Sequence, residues 1–294
     1  MRDSGGRGGG ASGGSPTATV PEGVRVDRGT LEGLYRKLNR RQYVHPDPLE
    51  FLYLYDDPHD REIVGLVAST LAYGRVKQIL KSVSNALERM GESPAEFVRG
   101  STTASLRKAF AGFKHRFTTG DDLCRMLEGV RAADDAHGSL GGFFATLIGP
   151  DDETVLPALT SFVRLIADTP CDIEGPEGVC PLPDPDRGSA CKRLHLFLRW
   201  MVRSDDVDPG GWDSVPASKL IVPLDTHMHR LSLMMGLTGR KQANGRTALE
   251  ITEAFRAFSP DDPVKYDFSL TRLGIRDDMT AEQLLLRRVS ERSS

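Results

Sequence analysis

Lys192 and Asp225 head the two segments of this chain whose residue types are placed for chemistry. The first segment runs from Ser189 to Arg203. On a helix, Leu194, Phe197, Leu198 and Met201 share an apolar face, while Lys192, His195, Arg199 and Arg203 fall at i, i+3, i+7 and i+11 on a basic one. Such a helix can lie between a core and a phosphate-bearing groove. It can equally be a solvated face whose long side chains lie over the core. The second segment runs from Leu220 to Arg230. Pro223 fixes the approach, and Asp225 is placed to cap a helix carrying Met228, Leu231 and Met235. The helix dipole keeps a carboxylate there ionised. Its role is an N-cap alone, or stabilisation of a positive charge developing in an adjoining groove.

Two other chemistries are disfavoured. Asp225, His227 and His229 would converge on a metal if the segment were a strand, but the helical repeat of Met228, Leu231 and Met235 separates them. Neither a metal nor a cofactor is expected. Cys124, Cys171, Cys180 and Cys191 show no C-x-x-C spacing, so they read as reduced thiols.

The elements that position these segments read as helices. Asp60 caps one carrying Ile63, Val64, Val67 and Leu71, and Gly74 interrupts it. Val76, Ile79, Leu80, Val83, Leu87 and Met90 form one stripe, stopped by Gly91. Ser93-Pro94 opens a short helix, Asp121/Asp122 precede the next, and Val155 to Ile166 mark another. Residues 169–188, rich in Pro and Gly, read as loop. After the two segments above come helices over Asn244–Phe258, from Asp262-Pro263 to Gly274, and after a Thr280/Gln283 capping box. About ten helices with short connections and little strand signal predict an all-α fold. Residues 1–26 form a Gly/Ser-rich tail with no apolar signal region, predicted to be disordered. No apolar run approaches the ~20 residues that span a bilayer, so a cytoplasmic monomer is expected. Net charge is −3, so a nucleic-acid partner requires a local basic surface.

Pro223-Leu224-Asp225-Thr226-His227, followed by Arg230 and Met235-Gly236-Leu237, resembles the P-V-D-T-H-x-x-R … L-G-L signature of the helix-hairpin-helix DNA glycosylases. That superfamily includes endonuclease III and the adenine- and 8-oxoguanine-removing enzymes. Leu66 to Leu71 with Lys77 and Leu87 resembles its early helix pair, and Tyr266-Asp267-Phe268 to Leu273-Gly274 its late aromatic helix. The overall pattern is more similar still to a bacterial family, DUF2400, which implies no activity of its own.

The glycosylase resemblance implies a two-lobed helical fold over 27–290 with a cleft between the lobes, 27–59 and 204–290 forming one and 60–203 the other. It implies Asp225 as the catalytic carboxylate and Lys192 as the nucleophile that opens the helix after the hairpin. The interval between them is longer than in endonuclease III and similar to that of the archaeal 8-oxoguanine branch. Duplex DNA with a damaged base is the implied partner, met by Arg193, His195, Arg199, Arg203 and Arg230 and by Gly188 and Ser189 of the hairpin. The hairpin departs from the family pattern: Leu182 to Ser189 keeps Leu-Pro and one Gly but lacks the double-Gly turn, with Asp184 and Asp186 in the loop. Glycines there let backbone amides approach a phosphate. The C-terminal four-Cys loop of endonuclease III is absent.

The implied activity is base excision on an oxidised purine such as 8-oxoguanine, with a lysine-dependent AP-lyase step. A carboxylate stabilises the oxocarbenium-like state, and a neutral Lys amine attacks C1′. Arg193, Arg199 and Arg203 are expected to disfavour the ammonium form of Lys192. The flipped base needs a stacking wall, for which Tyr73, Trp200, Trp212 and Phe268 are the candidates. The alternatives are a non-catalytic nucleic-acid-binding or adaptor protein on the same scaffold, and a nucleoside hydrolase.

Overall fold

The computed structural model describes residues 25–170 and 179–273. Among them are twelve α-helices and one two-stranded hairpin. The all-α expectation holds at that level. Residues 1–24, Cys171, Gly274 and the Thr280/Gln283 box lie outside the described residues.

Helix α1 (Arg28–Leu38) starts at Asp27, whose side chain accepts from Thr30 N. A 3₁₀ segment, Pro48–Leu54, follows, capped by Asp47. Helix α2 (Pro58–Thr70) is capped by Asp57, not Asp60. Pro58 needs no donor at the first position, so the helix begins one turn earlier than expected. Asp60 instead reaches across to Ser93 Oγ at 2.9 Å and Ala95 N at 2.8 Å. It thereby ties α2 to the start of α4 (Pro94–Gly100). Between them α3 (Val76–Met90) buries the predicted stripe except for exposed Val76 and half-buried Leu80, and Gly91 ends it at φ 79°.

Helix α5 (Thr103–Ala109) leads to the hairpin, β1 (Lys114–His115) and β2 (Thr118–Thr119), two residues per strand and too short to show a period of two in the sequence. Helix α6 (Gly120–His137) is capped by Thr119, with Asp122 completing the box, so Asp121 and Asp122 lie inside the first turn. Helix α7 (Leu140–Leu147) was not legible. Its Gly-Gly start disfavours a helix, but the buried Glu62 carboxylate accepts from the amides of Leu140 and Gly141 at 2.9 and 3.0 Å. Glu62 also accepts from Trp212 Nε1 at 2.9 Å. Trp212 is therefore a core residue, stacked on Phe144, and not a wall of a base pocket.

Helix α8 (Leu156–Ala167) packs on α6. A Cβ at Gly129 of α6 would sit 2.2 Å from the Ile166 carbonyl oxygen of α8. Gly129→Ala is expected to push the two helices apart and lower stability by about 1–3 kcal/mol. The midpoint of urea unfolding measures it; an unchanged midpoint would show that the helices do not approach this closely.

Helix α9 (Lys192–Val202) packs along α2 at the centre of the molecule. The predicted apolar face is buried, and so is most of the rest: Trp200 is fully enclosed, and His195, Arg199 and Arg203 are buried as well. Helix α10 (Thr226–Met235) is capped by Asp225, and α11 (Gly245–Arg256) by Asn244. Helix α12 (Asp267–Arg272) packs against both α1 and α10. It is shorter than expected, because Asp262 is drawn into an ion pair with Arg203 instead of capping it. No described helix is long and apolar enough to cross a membrane.

Candidate active site

Lys192 is the first residue of α9, and the residue before it, Cys191, holds a left-handed backbone at φ 42°. A non-glycine residue there is strained, and surrounding contacts must hold it. Ser189 Oγ lies 3.1 Å from Cys191 Sγ, Ser189 bridges Asn244, and Gly245 N donates to Gly188 O at 3.1 Å. Gly188 itself is at φ 76°. The loop before α9 is thus docked on the start of α11, which brings Lys192 to the start of α10.

There the Lys192 Nζ lies 2.8 Å from Asp225 Oδ2. The other carboxylate oxygen, Oδ1, accepts from Met228 N at 2.8 Å. One oxygen of Asp225 thus caps α10, and the other faces an amine. Burial works to raise its pKa, but Lys192, the Met228 amide and His227 outweigh that and hold the carboxyl below the usual carboxylate range.

The pair opens on a cleft of about 480 Å³. It is lined by Ala72 of the α2–α3 turn, Val76 and Ile79 of α3, and Asp267, Phe268, Thr271 and Arg272 of α12. Pro46, Asp47, Pro48, Leu196, Arg199, Pro223 and His227 complete it. Of the four aromatic candidates, Phe268 alone borders this cleft, but it is 1% exposed with Arg272 over its ring, so it offers no open face for a base. Tyr73 lies beside a separate depression with Phe117, Cys180 and Arg193, its hydroxyl bonded to His115 O and Thr118 Oγ1. Trp200 and Trp212 are sealed in the core.

The expected basic stripe is corrected by its burial. Arg199 pairs with Asp208 and Asp267, and Arg203 with Asp205, Asp208 and Asp262. Neither faces solvent, and neither presses positive charge on Lys192 without a balancing carboxylate. Burial of an Arg is tolerated here because each guanidinium is met by two or three carboxylates. Arg193 is half-buried, donates to Thr70 O and Pro181 O, and lies 5.0 Å over the Tyr73 ring. His195 is enclosed, and burial pushes its pKa down to about 4. Arg230, Gly188 and Ser189 are exposed. Arg75, just before α3, and Lys77 and Lys81 on it are exposed; Val76 and Ile79 of α3 line the cleft, and of the three cations only Lys77 carried any sequence signal.

His195 carries a pH-dependent expectation. Its folded pKa lies below the ordinary value, so the unfolded chain binds the proton more readily between about pH 6.5 and 4. The stabilisation is complete above that window and is lost as pH falls through it. Wild type is expected to lose about 2–3 kcal/mol more than His195→Leu between pH 7 and 4.5. Parallel losses in urea titrations at the two pH values would contradict this.

The other clusters are occupied. His59, Glu62 and Asp134 approach one another closely enough for a metal, but Arg99 holds Asp134 at 2.5 and 3.0 Å, and Glu62 is filled by two amides and an indole. His229 bonds Arg240 O at 2.8 Å, while His227 lines the cleft with an unpartnered Nε2. Among the described residues Cys124, Cys180 and Cys191 are free thiols.

The sequence reading missed Asp47, Asp267 and Arg272 of the cleft. A signal was present for the last two: charged residues stand among Tyr266, Phe268, Leu270 and Leu273, where a buried face was already evident.

The model of a family described as protein of unknown function, DUF2400, matches residues 47–276. The chain belongs to the DUF2400 family. Every residue of the cleft except Pro46 falls in the matched region, so the Lys192–Asp225 pair lies within the family's own domain. No curated protein and no solved structure matches the chain.

Proposed function

We propose that this DUF2400 protein is a base-excision DNA glycosylase with a lysine-dependent lyase step, built on the two-lobed helix-hairpin-helix scaffold and acting on an oxidised purine. The observation that carries the reading is the Lys192 amine 2.8 Å from Asp225, at a cleft walled in part by Ala72, Val76 and Ile79. A cleft of this volume accommodates a purine. The packing of α1, α10 and α12 on one side of it, and of α2 with α9 on the other, is consistent with two lobes.

In this reading a base is extruded from the duplex into the cleft, against its apolar wall of Ala72, Val76 and Ile79. The Lys192 ammonium gives up a proton, for which Asp225 Oδ2 is the nearest acceptor, and becomes a neutral amine. Its lone pair forms a bond to C1′ as the C1′–N bond breaks, and the base leaves with that electron pair and takes up a proton. Asp225 passes that proton on to the departing base, and its restored carboxylate stabilises the positive charge on the sugar. The sugar ring then opens to an imine on Lys192, loss of the C2′ proton expels the 3′ phosphate, and water releases the enzyme. Arg75, Lys77, Lys81 and Arg230 supply exposed cations for the backbone in place of the buried stripe.

The test is borohydride trapping on duplexes carrying single oxidised purines, with base release measured in parallel. A covalent adduct and released base support the reading. Salt-sensitive binding without either would turn it to the adaptor alternative, and turnover of free nucleosides without duplex would turn it to a hydrolase.

A further inference from the structure

The turn between β1 and β2 costs stability that its own contacts do not return. His115 pairs with Thr118, so Arg116 and Phe117 form a two-residue turn. Such turns favour Gly, Asn or Asp where the backbone is left-handed, yet Arg116 stands there at φ 54°. Phe117 beside it is 83% exposed. The hairpin is nonetheless held firmly. The Tyr73 hydroxyl donates to His115 O at 2.8 Å and accepts from Thr118 N at 3.1 Å. The buried His115 ring bonds Ser82 Oγ at 2.9 Å and Tyr73 O at 3.0 Å. An aromatic ring is thus presented to solvent on a fixed support.

The surface around it carries one sign of charge. From Leu71 to Leu87, and again from Phe97 to Gly120, the chain has no Asp or Glu, although its net charge is −3. The two stretches meet where α3 packs on β1, and the Arg116 side chain lies against Gly74. Together they expose Arg75, Lys77, Lys81, Lys114 and Arg116. Phe117 borders the depression shared by Tyr73 and Arg193, about 550 Å³ in volume. Arg193 donates there to two carbonyls and pairs with no described carboxylate. Asp122 also lines it, with its two oxygens accepting from the amides of Thr119 and Val179. The depression adjoins the cleft: Ala72 and Lys192 line the cleft, and the next residues in the chain, Tyr73 and Arg193, line the depression.

We infer that the β1–β2 hairpin is a binding element for unpaired DNA, in which Phe117 stacks on a base and Arg75, Lys77, Lys81, Lys114 and Arg116 meet the phosphates. The choice of DNA rests on the glycosylase reading; the surface itself needs none of the bond-breaking chemistry of the cleft. A polyanion answers the cations, and a polyanion carrying aromatic rings answers the ring at the tip as well. The Asp122 carboxylate disfavours a phosphate in the depression and leaves it to a base, whose lone pairs find donors on Arg193. A base inside a duplex has both faces covered by its neighbours, so the stack selects an unpaired one.

The experiment uses the full chain and one labelled 15-nucleotide DNA sequence, as a single strand and as a full duplex, with binding read at several salt concentrations. An RNA strand of the same sequence and polyglutamate serve as competitors. Phe117→Ala is expected to weaken single-strand binding by about fivefold to a hundredfold. Its duplex affinity and salt dependence stay near wild type, and Phe117→Trp restores the single-strand affinity. Lys81→Gln with Lys114→Gln is expected to weaken strand and duplex alike and to reduce the salt slope by about 1 to 2. Phe117 touches solvent on most of its surface, so its replacement leaves the core intact. Single-strand binding that is unchanged in Phe117→Ala overturns the inference, as does an equal loss for strand and duplex. Polyglutamate that competes as well as the DNA strand, or RNA that binds more tightly, overturns it too. Strand binding through Phe117 with no trapped adduct on any damaged duplex leaves this inference standing and defeats the glycosylase reading; an adduct formed without any contribution from the hairpin defeats this inference alone.

Discussion

Asp225→Asn is expected to keep the fold and to lower base release by about 10²- to 10³-fold, the usual effect of removing one preorganised electrostatic group from a reacting site. The choice of Asn separates the two roles of this residue. Asn caps a helix as well as Asp does, so the bond from Met228 N to Oδ1 survives while the charge facing Lys192 is lost. Asp225→Ala removes the cap as well and is expected to cost about 1 kcal/mol of additional stability. Lys192→Gln is expected to abolish the borohydride adduct, because an amide nitrogen forms no imine. The acid side follows from the lowered carboxyl of Asp225. Its charge persists below the ordinary carboxylate range, so its part in catalysis and in stability is present above that range and is lost only as pH falls through the depressed value. Trapping gels, base release and thermal melts of the three variants check these outcomes. An Asp225→Asn protein that releases base at the wild-type rate would reduce Asp225 to a cap.

Arg199→Met is expected to destabilise the protein by about 3–5 kcal/mol, since it strands Asp267 and weakens the hold on Asp208 in the interior. Arg203→Met should have a comparable effect, because Asp205, Asp208 and Asp262 all turn toward that guanidinium. The network reaches further through Tyr35, whose hydroxyl donates to Asp205 at 3.0 Å and so links α1 to the segment after α9. A solvated basic face predicts the opposite pattern, with near-normal melting and a loss of salt-sensitive DNA affinity. Chemical unfolding together with DNA binding at two salt concentrations distinguishes the two. Arg199→Met with Asp267→Leu should recover part of the loss, because removing both partners of a buried pair is less costly than stranding one. Variants that melt like wild type would place both arginines at the surface.

How much was legible varies with how local each decision is. The stripe of α3, the Gly91 stop, the Ser93-Pro94 start and the Asp225 cap each depend on residues within a turn or two, where side chain and backbone meet directly. Asp60 misled because the same carboxylate that can cap its own helix can also cross to Ser93 and Ala95. Helix α7 was hidden because a buried carboxylate on α2 supplies what its Gly-rich start lacks. Lys192 and Asp225 were named from the chain, but their 2.8 Å approach depends on the loop before α9 docking on α11, which no local pattern encodes.

What the sequence determined by itself is therefore most of the helices, the Ser93 and Asp225 caps and the two residue types that face each other. What the tertiary structure decided is which charged faces meet water. The Lys192, His195, Arg199 and Arg203 spacing is the same for an exposed stripe and for a buried ionic core. The difference lies in Asp205, Asp208, Asp262 and Asp267, which reach the two arginines from the loop that follows α9 and from the far end of the chain. An arginine stays in water or goes inside according to whether carboxylates await it there, and that is set by packing across the whole fold rather than along one helix.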